Sequence, residues 1–149
     1  MTFDVNDTVR FLRSASRISL RESDKEYLLA YVKKDVSWKH LLLVAHANGV
    51  DGLLYYHLKN LKRLDVLPQP VAKKLEETYR QTTRHVFATI SALKSISVGA
   101  RQAKIPVLAL QGITLIKLYR DPGIRPFVDA DVMVRSRHKE RFRRLLLDE

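Results

Sequence analysis

The chain has 149 residues, enough for one domain or a small domain with part of another, and its 46% hydrophobic fraction supports a packed core. Lysine and arginine number 27 against 16 acids, a net charge of +11 that suits an anionic partner such as nucleic acid, nucleotide phosphate or an acidic membrane surface. With no cysteine, disulfides and thiolate metal sites are excluded; no stretch reaches the roughly 18–20 apolar residues of a membrane span or has the form of a signal peptide, so a cytoplasmic protein with no membrane segment is expected.

Phe3, Val5, Val9, Phe11 and Leu12 outline a short amphipathic helix over 3–14, and a polar connector runs on to Arg21. Ser23-Asp24-Lys25-Glu26 has the form of a capping box, which opens a second helix with Tyr27, Leu28, Tyr31 and Val32 on one side. Ser37 caps a third helix, Trp38 to Asn48, that Gly49 ends, and Asp51 to Leu61 reads as a fourth. After Leu67-Pro68-Gln69-Pro70, apolar residues recur every three to four positions from Val71 to about Ala103: Leu75, Tyr79, Thr82, Val86, Ile90, Leu93, Ile96. That is one helix about 50 Å long at about 1.5 Å per residue, with Lys73, Lys74, Glu77, Arg80, Gln81 and Arg84 on a solvated face. Residues 1–104 therefore read as a helical N-terminal region.

The period changes at Ile105-Pro106-Val107-Leu108-Ala109-Leu110, a short apolar run that reads as a buried strand. Gln111-Gly112 is read as the turn into a helix from about Ile113 to Tyr119, and Arg120 to Gly123 as a turn. A second strand follows from Arg125 or Phe127 to Val134. The last helix, Arg137 to Glu149, sets Phe142, Leu145 and Leu146 on its apolar side. Residues 105–149 thus read β-α-β-α, and the whole chain as α+β.

Within the second strand, Asp129 and Asp131 stand one residue apart among apolar neighbours. Alternation points both acids one way, with Cα atoms about 6.6 Å apart, and Val128, Ala130, Val132 and Val134 the other way into a core. Two carboxylates on one face repel unless a cation lies between them, and a pair of Mg²⁺ ions about 3.5–4 Å apart is the usual occupant in phosphoryl-transfer enzymes. The plainer alternative is a solvent-facing edge strand. A strand running into Gly112 and then a helix also offers a backbone turn that a phosphate can approach. The histidines, His40, His46, His57, His85 and His138, are scattered without zinc-ligand spacing. The tyrosines and Trp38 read as helix packing and the arginines of the last helix as a solvated face.

Leu108-Ala109-Leu110-Gln111-Gly112-Ile113-Thr114-Leu115, Leu118 to Pro126 with its Asp121-Pro122-Gly123-Ile124-Arg125, and Asp129-Ala130-Asp131-Val132-Met133-Val134 together resemble the nucleotidyltransferase-like proteins of the DNA polymerase beta superfamily. More narrowly they look like a bacterial group of uncharacterised nucleotidyltransferases, and Trp38 to Leu58 is similar to that group's helical N-terminal region. The resemblance implies a helical bundle followed by a partial polymerase-beta-type unit over 105–149. It implies a Mg²⁺-dependent transfer of a nucleoside monophosphate from an NTP. Asp129 and Asp131 would be the catalytic, metal-binding acids, Gly112 the glycine of the phosphate turn with Thr114 as the nearest hydroxyl, and Arg125 the arginine that steadies triphosphate or acids. The acceptor stays open among nucleic acid, small molecule and protein. Gln111 stands where the group usually has lysine, and Ile113 where the superfamily prefers serine. The superfamily's third carboxylate lies on a later strand absent from these 149 residues, so a truncated unit is expected. The alternatives are a non-catalytic helical interaction module with a degenerate transferase half and a basic RNA-binding protein. An open sheet edge makes a homo-oligomer a further expectation.

Overall fold

A computed structural model describes residues 5–34, 36–119, 121–127 and 129–147. Phe3, Arg120, Val128, Asp148 and Glu149, each read above, lie outside the described residues. The described chain is mostly helical with one small sheet, an α+β architecture. It divides into two compact units, residues 1–83 with 121–126, and residues 84–120 with 127–149. No described helix is long and apolar enough to cross a membrane.

The first unit holds α1 (Val5–Ala15), α2 (Glu22–Tyr31), α3 (Trp38–Ala47), α4 (Asp51–Asn60), a 3-10 turn (Leu64–Val66) and the first part of α5 (Gln69–Gln102). Phe11, Leu28, Leu41, Leu54, Leu58 and Leu75 are excluded from water at its centre. Phe11 stacks on Tyr31 with ring centroids 4.2 Å apart, and Trp38, Tyr27 and Tyr79 pack against this core, as the sequence reading expects. Buried His57 donates from Nε2 to the Arg17 carbonyl at 2.8 Å, and burial pushes its pKa down. The residues expected on the solvated face of α5, Lys73 to Arg84, are exposed.

The start of α2 differs from the expected Ser23–Glu26 box. The helix begins at Glu22, and Asp24 reaches back to accept from the Arg21 backbone N–H at 3.2 Å. The same carboxylate accepts from the Arg21 guanidinium at 2.9 and 3.2 Å, and Arg17 lies at 3.3 Å. Two guanidiniums and a backbone donor hold Asp24 more strongly than the single backbone donor open to Glu26, so the helix starts around Asp24. Chiefly through the Arg21 hydrogen bonds, the Asp24 pKa falls to about 2.

Residues 121–126 belong to this helical unit. Asp121 accepts the Gly123 N–H through Oδ1 at 2.8 Å and the Tyr79 hydroxyl through Oδ2 at 2.6 Å, which fixes the 3-10 turn Pro122–Ile124. Ile124 is 2% exposed. A Cβ on Gly52 would run into the Gly123 carbonyl, and one on Gly123 into the Tyr79 ring and the Thr83 hydroxyl. The two glycines are what let this segment lie directly on α4 and α5.

The second unit holds the rest of α5, β1 (Val107–Leu110), a 3-10 helix (Gln111–Leu118), β2 (Asp131–Val134), a 3-10 turn (Ser136–His138) and α6 (Lys139–Leu147). β1 and β2 pair antiparallel, with Val107 opposite Val134, Leu108 opposite Met133, Ala109 opposite Val132 and Leu110 opposite Asp131. Ala100, Ile105 and Phe142 form a small buried core against which Val107, Val132 and Val134 pack. Directly opposed residues share a face, so Leu108, Met133, Leu110 and Asp131 lie on the other side. Arg141 on α6 donates to the Ala103 carbonyl at 2.9 Å, holding α6 to the chain just past the end of α5.

Three expectations change here. β2 begins at Asp131 because β1 offers only four residues before its turn, so Asp129 precedes the ladder. The element after β1 is a 3-10 helix: Ile113 and Ile116, three apart, are less exposed than Leu115 and Leu118, which matches three residues per turn. On α6, Phe142 is buried and Leu145 half-buried while Leu146 is 44% exposed, so Leu146 leaves the apolar side expected of it.

Candidate nucleotide and metal site

The apolar run of β1 ends at Leu110, and the chain reverses through Gln111, whose φ is +53°. Of the two residues that the sequence nominates for the turn, the left-handed position falls on Gln111 and not on Gly112. A non-glycine residue there bears a cost of about 1–2 kcal/mol. Gly112 is the second residue of the 3-10 helix, and a Cβ on it would meet only the Phe127 Cβ at 3.6 Å, an ordinary contact. Neither turn geometry nor packing within the described chain requires glycine at 112. What its missing side chain leaves is an open approach to the backbone.

Thr114 is exposed, and its hydroxyl donates to the Gln111 carbonyl at 2.6 Å, tying the first turn of the 3-10 helix. The proton it would need to offer a phosphate is thereby committed to the backbone, and only its lone pairs remain.

Asp131 is half-buried and pairs across the ladder with Leu110, the residue that leads into the Gln111–Gly112 turn. The acid and the turn thus share one end of the sheet, and β2 packs against the 3-10 helix. Asp131 lies on the face away from Val132 and Val134, as alternation predicts. Asp129 is exposed and outside the strand, so the ladder does not set its direction.

Gly112, Thr114, Asp129 and Asp131 all belong to the second unit. Arg125 belongs to the first, directly after the turn Pro122–Ile124, where it is half-buried.

Among the described residues there is no group of three or more His, Cys, Asp or Glu side chains placed to hold a metal. An all-protein metal cage is therefore not what this donor set makes. Two carboxylates are hard oxygen donors, and Mg²⁺ binds through one or two carboxylates with waters and substrate phosphates completing its octahedron. The pair Asp129 and Asp131 fits that partial role.

The sequence reading passed over the Gly52–Gly123 contact. A glycine inside a helix costs about 1 kcal/mol relative to alanine, so Gly52 within the first turn of α4 was itself a sign of close backbone approach.

Compared with known protein families, residues 34–149 match the family described as uncharacterised nucleotidyltransferase. The match spans well over half of the chain. The chain belongs to this family. Gly112, Thr114, Arg125, Asp129 and Asp131 all fall within the matched span, as do α3 to α6 and the segment that docks through Gly123. No curated protein and no solved structure matches the chain significantly.

Proposed function

We propose that the protein transfers a nucleoside monophosphate from a nucleoside triphosphate to an acceptor hydroxyl, on a polymerase-beta-type strand–turn–helix–strand unit. The observation that carries this reading is the register of the sheet, which sets Asp131 beside the turn where Gly112 leaves the backbone open. In the reaction the acceptor oxygen forms a bond to the α-phosphorus, the bond to pyrophosphate breaks, and the acceptor proton passes to solvent. Asp129 and Asp131 would hold Mg²⁺. When bound, Mg²⁺ supplies neutralisation of the triphosphate charge and favours the ionised acceptor. The chain's own part is to hold Asp131 at the end of the sheet that leads into the turn, with Asp129 two residues before it, and to present the Gly112 backbone without a side chain in the way. Gln111, in place of a lysine, contributes no charge, so the phosphate here relies on backbone N–H groups and the metal.

Calorimetry of the full chain with ATP or CTP and Mg²⁺ tests the reading. The heat that Mg²⁺ adds over the same titration in EDTA is expected to be abolished by Asp129→Ala/Asp131→Ala. Gly112→Ala, for which the structure has room, should keep the melting temperature and weaken nucleotide binding. Heats that are unchanged in the double mutant would sink the proposal.

A further inference from the structure

A second charged site lies on α1 and α2, outside the residues that match the transferase family. Arg10 and Arg13 sit on α1, Arg17 just beyond its end and Arg21 at the start of α2, and the four line one cavity of about 380 Å³ together with Asp24 and Tyr27. The hydroxyl-bearing Ser14 and Ser23 complete its wall. Four arginines and one carboxylate therefore line the cavity, with Asp7, which accepts from the Tyr27 hydroxyl at 3.2 Å, close to Arg10. The Asp24 carboxylate is itself only 6% exposed and is committed to Arg17 at 3.3 Å and Arg21 at 2.9 Å, so it acts as a clamp that fixes two of the four cations.

The other two are not needed for that clamp. The Arg10 guanidinium lies over the Tyr27 ring, 4.4 Å from its centroid, and Arg13 makes no ion pair among the described residues. Like charges on successive turns repel, and Asp7 offsets Arg10, so Arg13 is the cation on this wall whose charge an entering anion would offset. Planar guanidinium forks match phosphate oxygens in two-point contacts, and the fixed pair would meet such a group with little rearrangement. A cavity of this size lies at the small end of ligand sites, the scale of one nucleotide's phosphate and sugar.

We propose that the cavity between α1 and α2 binds a phosphate group, carried either by a single-stranded RNA or by a free nucleotide. The site uses Arg10, Arg13, Arg17 and Arg21, with Asp24 as the internal anchor. It does not depend on the acids at 129 and 131.

The test uses the full chain in EDTA, which removes Mg²⁺ and with it the binding proposed for the acidic pair. A fluorescein-labelled 12-nucleotide RNA is titrated by anisotropy and ATP by calorimetry, each across a series of KCl concentrations. Wild-type protein should bind at least one of the two. Arg10→Gln/Arg13→Gln leaves the Asp24 clamp intact and should weaken that binding at least tenfold. For RNA, its salt slope should fall by about 1.4, at about 0.7 per lost phosphate contact. Arg13→Gln alone removes no internal partner and guards against a folding defect, with the melting temperature as control. Lys73→Gln/Lys74→Gln removes the same charge from the exposed face of α5 and should change affinity less than twofold. Binding of RNA alone identifies a strand phosphodiester, and binding of ATP alone a nucleotide. Absence of both below millimolar concentrations, or an equal loss in the lysine variant, would overturn the proposal.

Discussion

The helical unit closes over Phe11, Leu28, Leu41, Leu54, Leu58 and Leu75, each essentially removed from water, whereas among the described residues the sheet unit gathers Ala100, Ile105 and Phe142 into its buried cluster and leaves Leu108 59% and Met133 55% exposed. The difference is one of geometry. Four helices and the start of α5 can bury side chains from several directions, but two four-residue strands have one face to bury and one to leave open. Stability and chemistry are consequently divided along the chain: the acids that would meet a metal stand on the thinner scaffold, and the arginine cavity stands on the thicker one.

Large-to-small substitutions should separate the two regions most sharply. Leu58→Ala in the helical core is expected to cost about 3–4 kcal/mol, whereas Met133→Ala on the open face of the sheet should stay within about 0.5 kcal/mol. Urea denaturation of the three proteins measures this. Comparable losses would show that the open sheet face is buried in solution and break the comparison.

A smaller effect is expected where the segment 121–126 lies on the helices. Gly52→Ala sets a methyl group against the Gly123 carbonyl and should destabilise by about 1–3 kcal/mol, with the midpoint in urea as the readout. A variant as stable as the wild type would mean the backbones part at no cost.

The mildest test is in acid. The Asp24 carboxyl titrates near 2 in the folded protein, below its ordinary value, because Arg21 and Arg17 favour the ionised form. A depressed carboxyl pKa contributes stability that is present above about pH 4 and is lost as pH falls towards about 2. Melting temperatures of wild type and Asp24→Asn should therefore differ at pH 5 and converge by about pH 2. A gap of constant size across that range would show that ionisation is not the source.

Much of the helical unit was legible because its signals are local. Leu75 and Tyr79 stand at the spacing of a helix, Gly49 adopts the left-handed φ of +63° that ends α3, and Pro70 falls in the first turn of α5. The alternation that turns Asp131 away from Val132 and Val134 was equally readable, since a strand's side chains have a period of two. Less legible were features that depend on which distant groups compete for one another. Asp24 displaced the expected Ser23–Glu26 box because Arg17 and Arg21 converge on it. Asp129 fell outside the ladder because β1 ends after four residues.

By itself, then, the sequence determined the periods, the breaks between elements, the excess of positive charge and the presence of two acids one residue apart, all properties of neighbours along the chain. Only the tertiary structure decided that Leu110 faces Asp131, that Gln111 takes the strained turn and leaves Gly112 open, that Gly52 admits Gly123, and that four arginines line one cavity. Those depend on contacts between residues far apart in sequence, whose partners are chosen by packing and charge once the elements have formed.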